Sequence, residues 1–421
     1  MLNSQFCKND MDIQELRKEF TQLDEKVYGK NLVYLDNAAT SLRPRSVISK
    51  WVELSEKYSA NIHRAVHHIS SVATEEYESA REAVAAFLNV SPKETVFTSG
   101  ATAAINLVAF SFGEAFVGEG DEIVVSESEH HSDLVPWQMM CARRHAVLKR
   151  LPVDDSGRLR LDCLETLLTP RTKLVCVTQI SNVLGLENPV AEVARICHAK
   201  GCRLLVDGAQ GVVHAHPDLK EIDCDFYAFS GHKMYAAPGT GVLYGKKELL
   251  DAMPPYMGGG EMVGTVKWSG TTYAPVPLKF EAGTQNFAGA PTLKPAIAMV
   301  KIMEDADIQR NTQEITSFLL EELPKIPGLR LYGLPGTACG QEFRKSSLFS
   351  FSVEHCHHED LALILDKMGI ALRSGQMCAE PLMDRFGVTG MLRASFAPYN
   401  TMEEAEYFLA SLKKAVNMLQ R

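Results

Sequence analysis

The middle of the chain alternates short apolar or β-branched runs with helical segments, and that order restricts the fold more than any other feature. Glu122–Glu127 (EIVVSE), Val147–Val153, Lys173–Gln179 (KLVCVTQ) and Arg203–Val206 read as strands. Asp133–His145, Leu161–Thr169 and Ala191–Lys200 read as the helices between them, the last stopped by Gly201. Such a series implies a mainly parallel sheet with helices on both faces, an α/β fold. Upstream, Ala73, Tyr77, Ala80, Val84 and Phe87 recur at helical spacing. Pro254 to Pro295 is punctuated by Gly and Pro and reads as a long crossover between two domains. Beyond it, Ser347–Val353 reads as strand, Asp360–Lys367 as helix and Ile370–Arg373 as strand. Thr401 and Glu404 form a capping box opening a last helix, Met402–Leu419. The expected division is a large domain over 31–294 and a smaller α+β domain over 295–421 joined by 1–30.

Charge narrows the partners. The 421 residues hold 43 Lys+Arg against 52 Asp+Glu, a net charge of −9. The summed field is unfavourable for nucleic acid or an anionic membrane. Met1–Phe20 is polar and lacks the apolar core of a signal peptide. The longest uncharged run, Thr95–Gly113, contains Thr98, Ser99, Thr102 and Asn106, which argues against a membrane span. Ten cysteines without a C-x-x-C pair in so long a chain point to a reducing cytoplasm rather than a disulfide framework. The run Glu354–Asp360 (EHCHHED) tempts a metal reading, but adjacent residues rarely reach one ion, so no metal is expected.

Candidate chemistry gathers at strand ends. Asp207 closes RLLVD, where open α/β sheets bind ligands. Lys233 follows an apolar strand and the trio Ser230, Gly231, His232; a partly desolvated lysine there suits a Schiff base. An acid to keep a pyridine nitrogen protonated and a lysine to hold an aldehyde are what pyridoxal phosphate needs. Taken alone, a structural ion pair explains the two residues equally well. VFTSGATAAIN runs strand, Ser-Gly turn, then helix from about Thr102, a place for a phosphate. His130 and His131 follow a strand end, where an imidazole can stack on a flat ring and shuttle protons. Cys378 sits on a loop between Gly375 and Pro381 with Arg373 nearby, which favours a thiolate. Cys163, Cys176, Cys197 and Cys224 fall in helix or strand patterns and read as packing residues.

Ten blocks stand in order from Val33 to the C-terminus: YLDNAAT (34–40), NIHRAVH (61–67), SGATAAIN (99–106), EHHSDLVPWQ (129–138), QISNVLG (179–185), VDGAQG (206–211), FSGHKMY (229–235), FEAGTQN (280–286), LRSGQMCAEP (372–381) and LRASFAPYN (392–400). Together they resemble the class V aminotransferases, fold-type I pyridoxal 5'-phosphate enzymes. The resemblance is nearest to the group II cysteine desulfurases of the cysteine sulfinate desulfinase branch. It implies a seven-stranded, mainly parallel sheet flanked by helices, plus a smaller α+β domain, in a homodimer with shared sites. It also implies conversion of L-cysteine to L-alanine, leaving a persulfide on Cys378 for a sulfur-acceptor protein in iron–sulfur cluster or other sulfur delivery. Selenocysteine and cysteine sulfinate are further substrates it allows. Lys233 would hold the cofactor aldehyde, Asp207 the ring nitrogen and Gln210 the ring hydroxyl, with His130 stacked on the ring. Thr102, Ser230 and His232 would bind the phosphate, as would Thr284 across the dimer. Asn182 and Arg393 would hold the substrate carboxylate, and His63, Arg64 and Arg373 would line the mouth. Two departures stand out: Ala101 lacks a hydroxyl many relatives have, and Gln376-Met377 replaces a common His-His before the cysteine. The rival readings are a selenocysteine lyase, another class V enzyme such as an epimerase or aminotransferase, and a non-catalytic sulfur scaffold. The scaffold has no use for Lys233, Asp207 and Arg393 together.

Overall fold

The computed structural model describes residues 12–420, so Cys7 and the first part of the 1–30 segment lie outside the described residues. Seven strands form the large sheet: β1 (Thr95–Thr98), β2 (Glu122–Ser126), β3 (Val147–Leu151), β4 (Thr172–Thr178), β5 (Arg203–Asp207), β6 (Phe226–Ser230) and β7 (Gly241–Gly245). Their order is β1-β7-β6-β5-β4-β2-β3. β7 runs antiparallel to both neighbours, and the remaining pairs are parallel. Burial on both faces explains the unbroken apolar strands. Val175 and Val177 of β4 enter one apolar cluster, while Leu174 and Cys176 enter the other. That is the period of two of a pleated strand with a core on each side. Among the described residues no helix is long and apolar enough to cross a membrane.

The expected helix over 133–145 is shortened. Residues His131–Asp133 form a 3₁₀ turn and the α-helix runs Val135–Arg144, with Pro136 in its first turn. Proline is tolerated there and nowhere deeper in a helix. The crossover after residue 254 contains a hairpin that sequence patterning does not show, Val263–Lys267 with Gly270–Tyr273. Its side chains are exposed on both faces, Trp268 included, so no hydrophobic alternation marks it.

A second, antiparallel sheet comprises β8 (Leu329–Tyr332), β9 (Leu348–Val353), β10 (Arg373–Gly375) and β11 (Met391–Ser395) in the order β8-β9-β11-β10. The single strand expected over Ile370–Arg373 is split. Ile370–Ala371 pairs in parallel with Val33–Tyr34, and the chain then turns so that Arg373 joins the second sheet. The last helix spans Met402–Leu419 with its capping box formed by Thr401 and Glu404. Arg17 ties the N-terminal helix Ile13–Lys18 to this region through Tyr399 O (2.7 Å) and Glu404 (2.8 Å).

One close approach fixes the entry to the site. A Cβ on Gly241 of β7 would stand 2.4–2.7 Å from Gly100 backbone atoms. Gly100 precedes the helix Ala101–Phe116, so only glycine at 241 lets β1 and β7 bring that helix start into place. Gly241→Ala is expected to lower stability by about 1–3 kcal/mol, the range for an overpacked core, read as a lower thermal midpoint.

Candidate active site

A cavity of about 220 Å³ opens at the carboxyl ends of β4, β5 and β6, where the large sheet meets β10 and β11. Asp207 ends β5 and Lys233 closes a 3₁₀ turn directly after β6; both line the cavity. No direct ion pair within 4.0 Å joins them, though each feels the other's charge. Burial lowers the Lys233 ammonium, and the field of Asp207 opposes this. Burial raises Asp207, opposed by Lys233 and by the Ala209 N–H that its Oδ1 accepts at 2.8 Å. The lysine is thereby biased toward the neutral amine that Schiff-base chemistry requires.

His130 also lines the cavity. Burial, then the charge of Lys233, lowers it to about 4. Its Nδ1 accepts from Ser132 N at 3.0 Å, which places the ring hydrogen of the neutral form on Nε2. At the other end, the start of the helix Ala101–Phe116 meets two hydroxyls. Ser230 Oγ accepts from Ala101 N at 2.8 Å, and Thr102 Oγ1 lies 2.7 Å from Ser132 Oγ. His232 stands beside them with Nδ1 3.3 Å from Thr40 Oγ1, lowered to about 4 chiefly by burial. Backbone N–H groups, hydroxyls and a helix N-terminus make this an anion-binding end.

The facing wall is cationic by register. Arg373 and Arg393 are direct partners across the β10–β11 pair, where like charges repel. Asp36 relieves this, 3.2 Å from Arg393 Nη2 and 4.0 Å from Arg373 Nη1. Two cations against one carboxylate leave a net positive charge. Arg393 is 3% exposed, donates from Nη1 to Asn182 O at 2.9 Å, and has a buried Nε without a partner. Asn182 Nδ2 donates to Met377 O at 2.8 Å, so it anchors the cysteine loop as well as lining the cavity. His131 N donates to Cys378 O at 2.8 Å. Met377 and Cys378 both adopt left-handed backbone, φ 53° and 55°, a conformation costly outside glycine. Cys378 is exposed yet lines the cavity.

Ten of the fourteen residues singled out from sequence therefore line one cavity. Gln210 does not; its Nε2 donates to Ala38 O at 2.7 Å and supports the turn that does. His63 pairs with Glu78 (2.9 Å) and Arg64 with Glu261 (3.0 Å), and neither lines the cavity. Thr284 is exposed and does not line the cavity of its own chain. Asp36 was missed, although an acid two residues past the strand Val33–Tyr34 was a usable signal. Among the described residues no three metal-ligating side chains gather; His358 Nδ1 instead lies 2.7 Å from Ser374 Oγ.

Comparisons with known proteins identify the family. Residues 33–408 match the family model described as aminotransferase class-V. A probable cysteine desulfurase of Vibrio cholerae is 42% identical over 97% of this chain and 100% of its own length. One from Synechocystis is 45% identical over 95% of each chain. The crystal structure of the Escherichia coli cysteine desulfurase CsdA, in an S-sulfonic acid form, superposes with a TM-score of 0.89 at 38% identity, covering 98% of this chain and 100% of that one. A cysteine desulfurase from Thermococcus onnurineus gives a TM-score of 0.89 at 36% identity over 96% and 98%. With a family model spanning most of the chain and full-length relatives of one activity, this chain belongs to the class V aminotransferases, among their cysteine desulfurases.

Proposed function

We propose that the cavity takes pyridoxal 5'-phosphate and L-cysteine, and that Cys378 carries the sulfur away while L-alanine leaves. The observation that supports this most is that Asp207, Lys233 and an exposed cysteine line one cavity. The donor set fits the cofactor. Ala101 N–H, Thr102, Ser230 and His232 suit its phosphate, Asp207 its ring nitrogen, His130 its flat face and Lys233 its aldehyde. When bound, the cofactor supplies an electron sink at the substrate carbon.

The residues then divide the work. Arg393, with a free buried Nε, holds the substrate carboxylate against the pull of Asp36. Lys233 Nζ removes the α-proton and later returns one. The Cys378 thiolate attacks the substrate sulfur. A sulfur–sulfur bond forms, the carbon–sulfur bond breaks, and its electron pair stays on the carbon, which is protonated to the methyl group of alanine. The product on the enzyme is a Cys378 persulfide, passed to the thiol of an acceptor protein. On this reading residues 31–294 supply the cofactor end, and 295–421 with 1–30 supply the cysteine loop. A homodimer would bring Thr284 of one protomer to the phosphate end of the other, a placement its exposure allows.

Cys378→Ser tests the sulfur step. Alanine formation from L-cysteine is expected to fall to background, while selenocysteine and cysteine sulfinate, which lose their leaving group without a nucleophile, are still turned over. Full cysteine activity in that variant refutes the persulfide.

A further inference from the structure

Beneath the cavity two carboxyl groups meet with no cation beside them. Glu129 and Asp133 are 2% and 0% exposed. Glu129 Oε1 accepts from Thr178 N at 2.8 Å and from the Ser126 hydroxyl. Asp133 Oδ1 accepts from the Trp137 indole N–H at 2.7 Å. Each group keeps one enclosed oxygen, Glu129 Oε2 and Asp133 Oδ2, with no donor available to it. The two side chains lie within hydrogen-bonding reach of each other. The titratable groups facing them are Asp207 from β5 and Cys176 from β4, with Cys141 of the helix Val135–Arg144 behind Cys176. None is a cation. Two acceptor oxygens can bond only through a proton, and one proton replaces repulsion by a charge-assisted hydrogen bond.

We propose that Glu129 and Asp133 share a single proton and form a clasp that positions His130 for the reaction. His130 lies between them in sequence. Asp133 N donates to His130 O at 2.8 Å, Ser132 N to His130 Nδ1 at 3.0 Å, and Ser132 Oγ reaches Thr102. One arm of the clasp is fixed to β4 through Thr178, the other to a helix through Trp137. Closing it sets the path of the loop from which the imidazole enters the cavity. The shared proton also holds the pair at one negative charge beside Asp207. Burial raises both carboxyls above their ordinary range, Glu129 to about 8. A group whose folded value is raised takes up a proton on folding. Its contribution is full below the ordinary carboxyl range and is lost as pH rises toward about 8.

The inference rests on His130 acting in the reaction, so its test has readouts independent of turnover. In the holoenzyme, Asp133→Asn and Glu129→Gln each place an amide N–H where the shared proton stood, keeping the bond and the single charge. Both are expected to turn over cysteine near the wild-type rate. Asp133→Ala leaves Glu129 Oε2 unpaired, and the double Glu129→Gln/Asp133→Asn sets two N–H₂ groups against each other. Both are expected to lose about 10²-fold in kcat/KM, the effect of a misplaced group of about 1 Å. Infrared spectra at neutral pH should show one protonated carboxyl band in wild type that Asp133→Asn removes. The wild-type thermal midpoint should fall between the ordinary carboxyl range and pH 8 by more than that of Asp133→Asn. A band surviving Asp133→Asn, or single amide effects that simply add in the double variant, overturns the shared proton. A wild-type rate from His130→Ala or from Asp133→Ala overturns the positioning role whatever the infrared result.

Discussion

Lys233→Ala is expected to abolish the visible absorption of a lysine-linked cofactor and to slow alanine formation from cysteine by about 10²–10⁴-fold, the contribution of a positioned proton-transfer group. The reasoning is local. Lys233 sits on a 3₁₀ turn whose start follows a strand buried along its whole length, so its amine has one place to go, the cavity. Burial lowers its ammonium, and no direct ion pair with Asp207 undoes that. Lys233→Arg should not rescue, because a guanidinium does not give up its proton. The fold should survive the alanine change, since removing a desolvated cation relieves a burial penalty. The checks are the absorption spectrum after dialysis, alanine release from cysteine, and the thermal midpoint. A variant that keeps both spectrum and turnover overturns the assignment of Lys233.

The largest loss of stability is expected from Arg81→Met. Arg81 and Glu281 are each 2% exposed and pair at 2.6 and 2.9 Å. All five N–H donors of the guanidinium are used: two to Glu281, two to Glu78 and one to Thr95 O at 2.9 Å. Glu281 in turn accepts from Phe97 N at 2.8 Å and from Tyr77 OH at 3.0 Å. The guanidinium also lies 4.7 Å from the Phe97 ring centroid. The network joins the helix His68–Phe87, the first strand of the large sheet and the segment ending at Glu281. Methionine matches the stem and strands a buried carboxylate, which costs about 3–5 kcal/mol. Arg81→Met/Glu281→Leu should recover part of this, because removing both charges removes the uncompensated one. Denaturant midpoints decide it; a loss below about 1 kcal/mol would place the pair among exposed salt bridges in worth. Cofactor retention should weaken as well, because Thr98 of that strand leads directly into the helix start at Ala101.

What was legible in the chain follows from range. Strand and helix periods are local, so the parallel strands and the capped last helix could be read directly. The hairpin after Val263 could not, because neither of its faces is buried and a period needs one buried face. Asp207, Lys233 and Cys378 were visible because each breaks an apolar or Gly-rich context at an element end. The opposition of Arg373 and Arg393 depends on register between strands nearly twenty positions apart, which composition does not encode. Asn182 was read toward the substrate alone; its hold on Met377 needs the fold of two distant segments. Glu129 and Asp133 sit in the polar run SESEHHSD, and only the third dimension removes the water.

Cys378 is both wall and rim, lining the cavity while exposed to solvent. Its backbone is held in a left-handed turn by His131 and Asn182, so the chain there has little travel of its own. What remains is rotation about a single side-chain torsion. On the proposed reading of Cys378, a sulfur atom on that torsion faces the amino acid or the acceptor, never both together. The two halves of turnover are then separated in time rather than in space. Kinetics of a ping-pong form follow, with parallel lines when amino acid and acceptor are varied against each other.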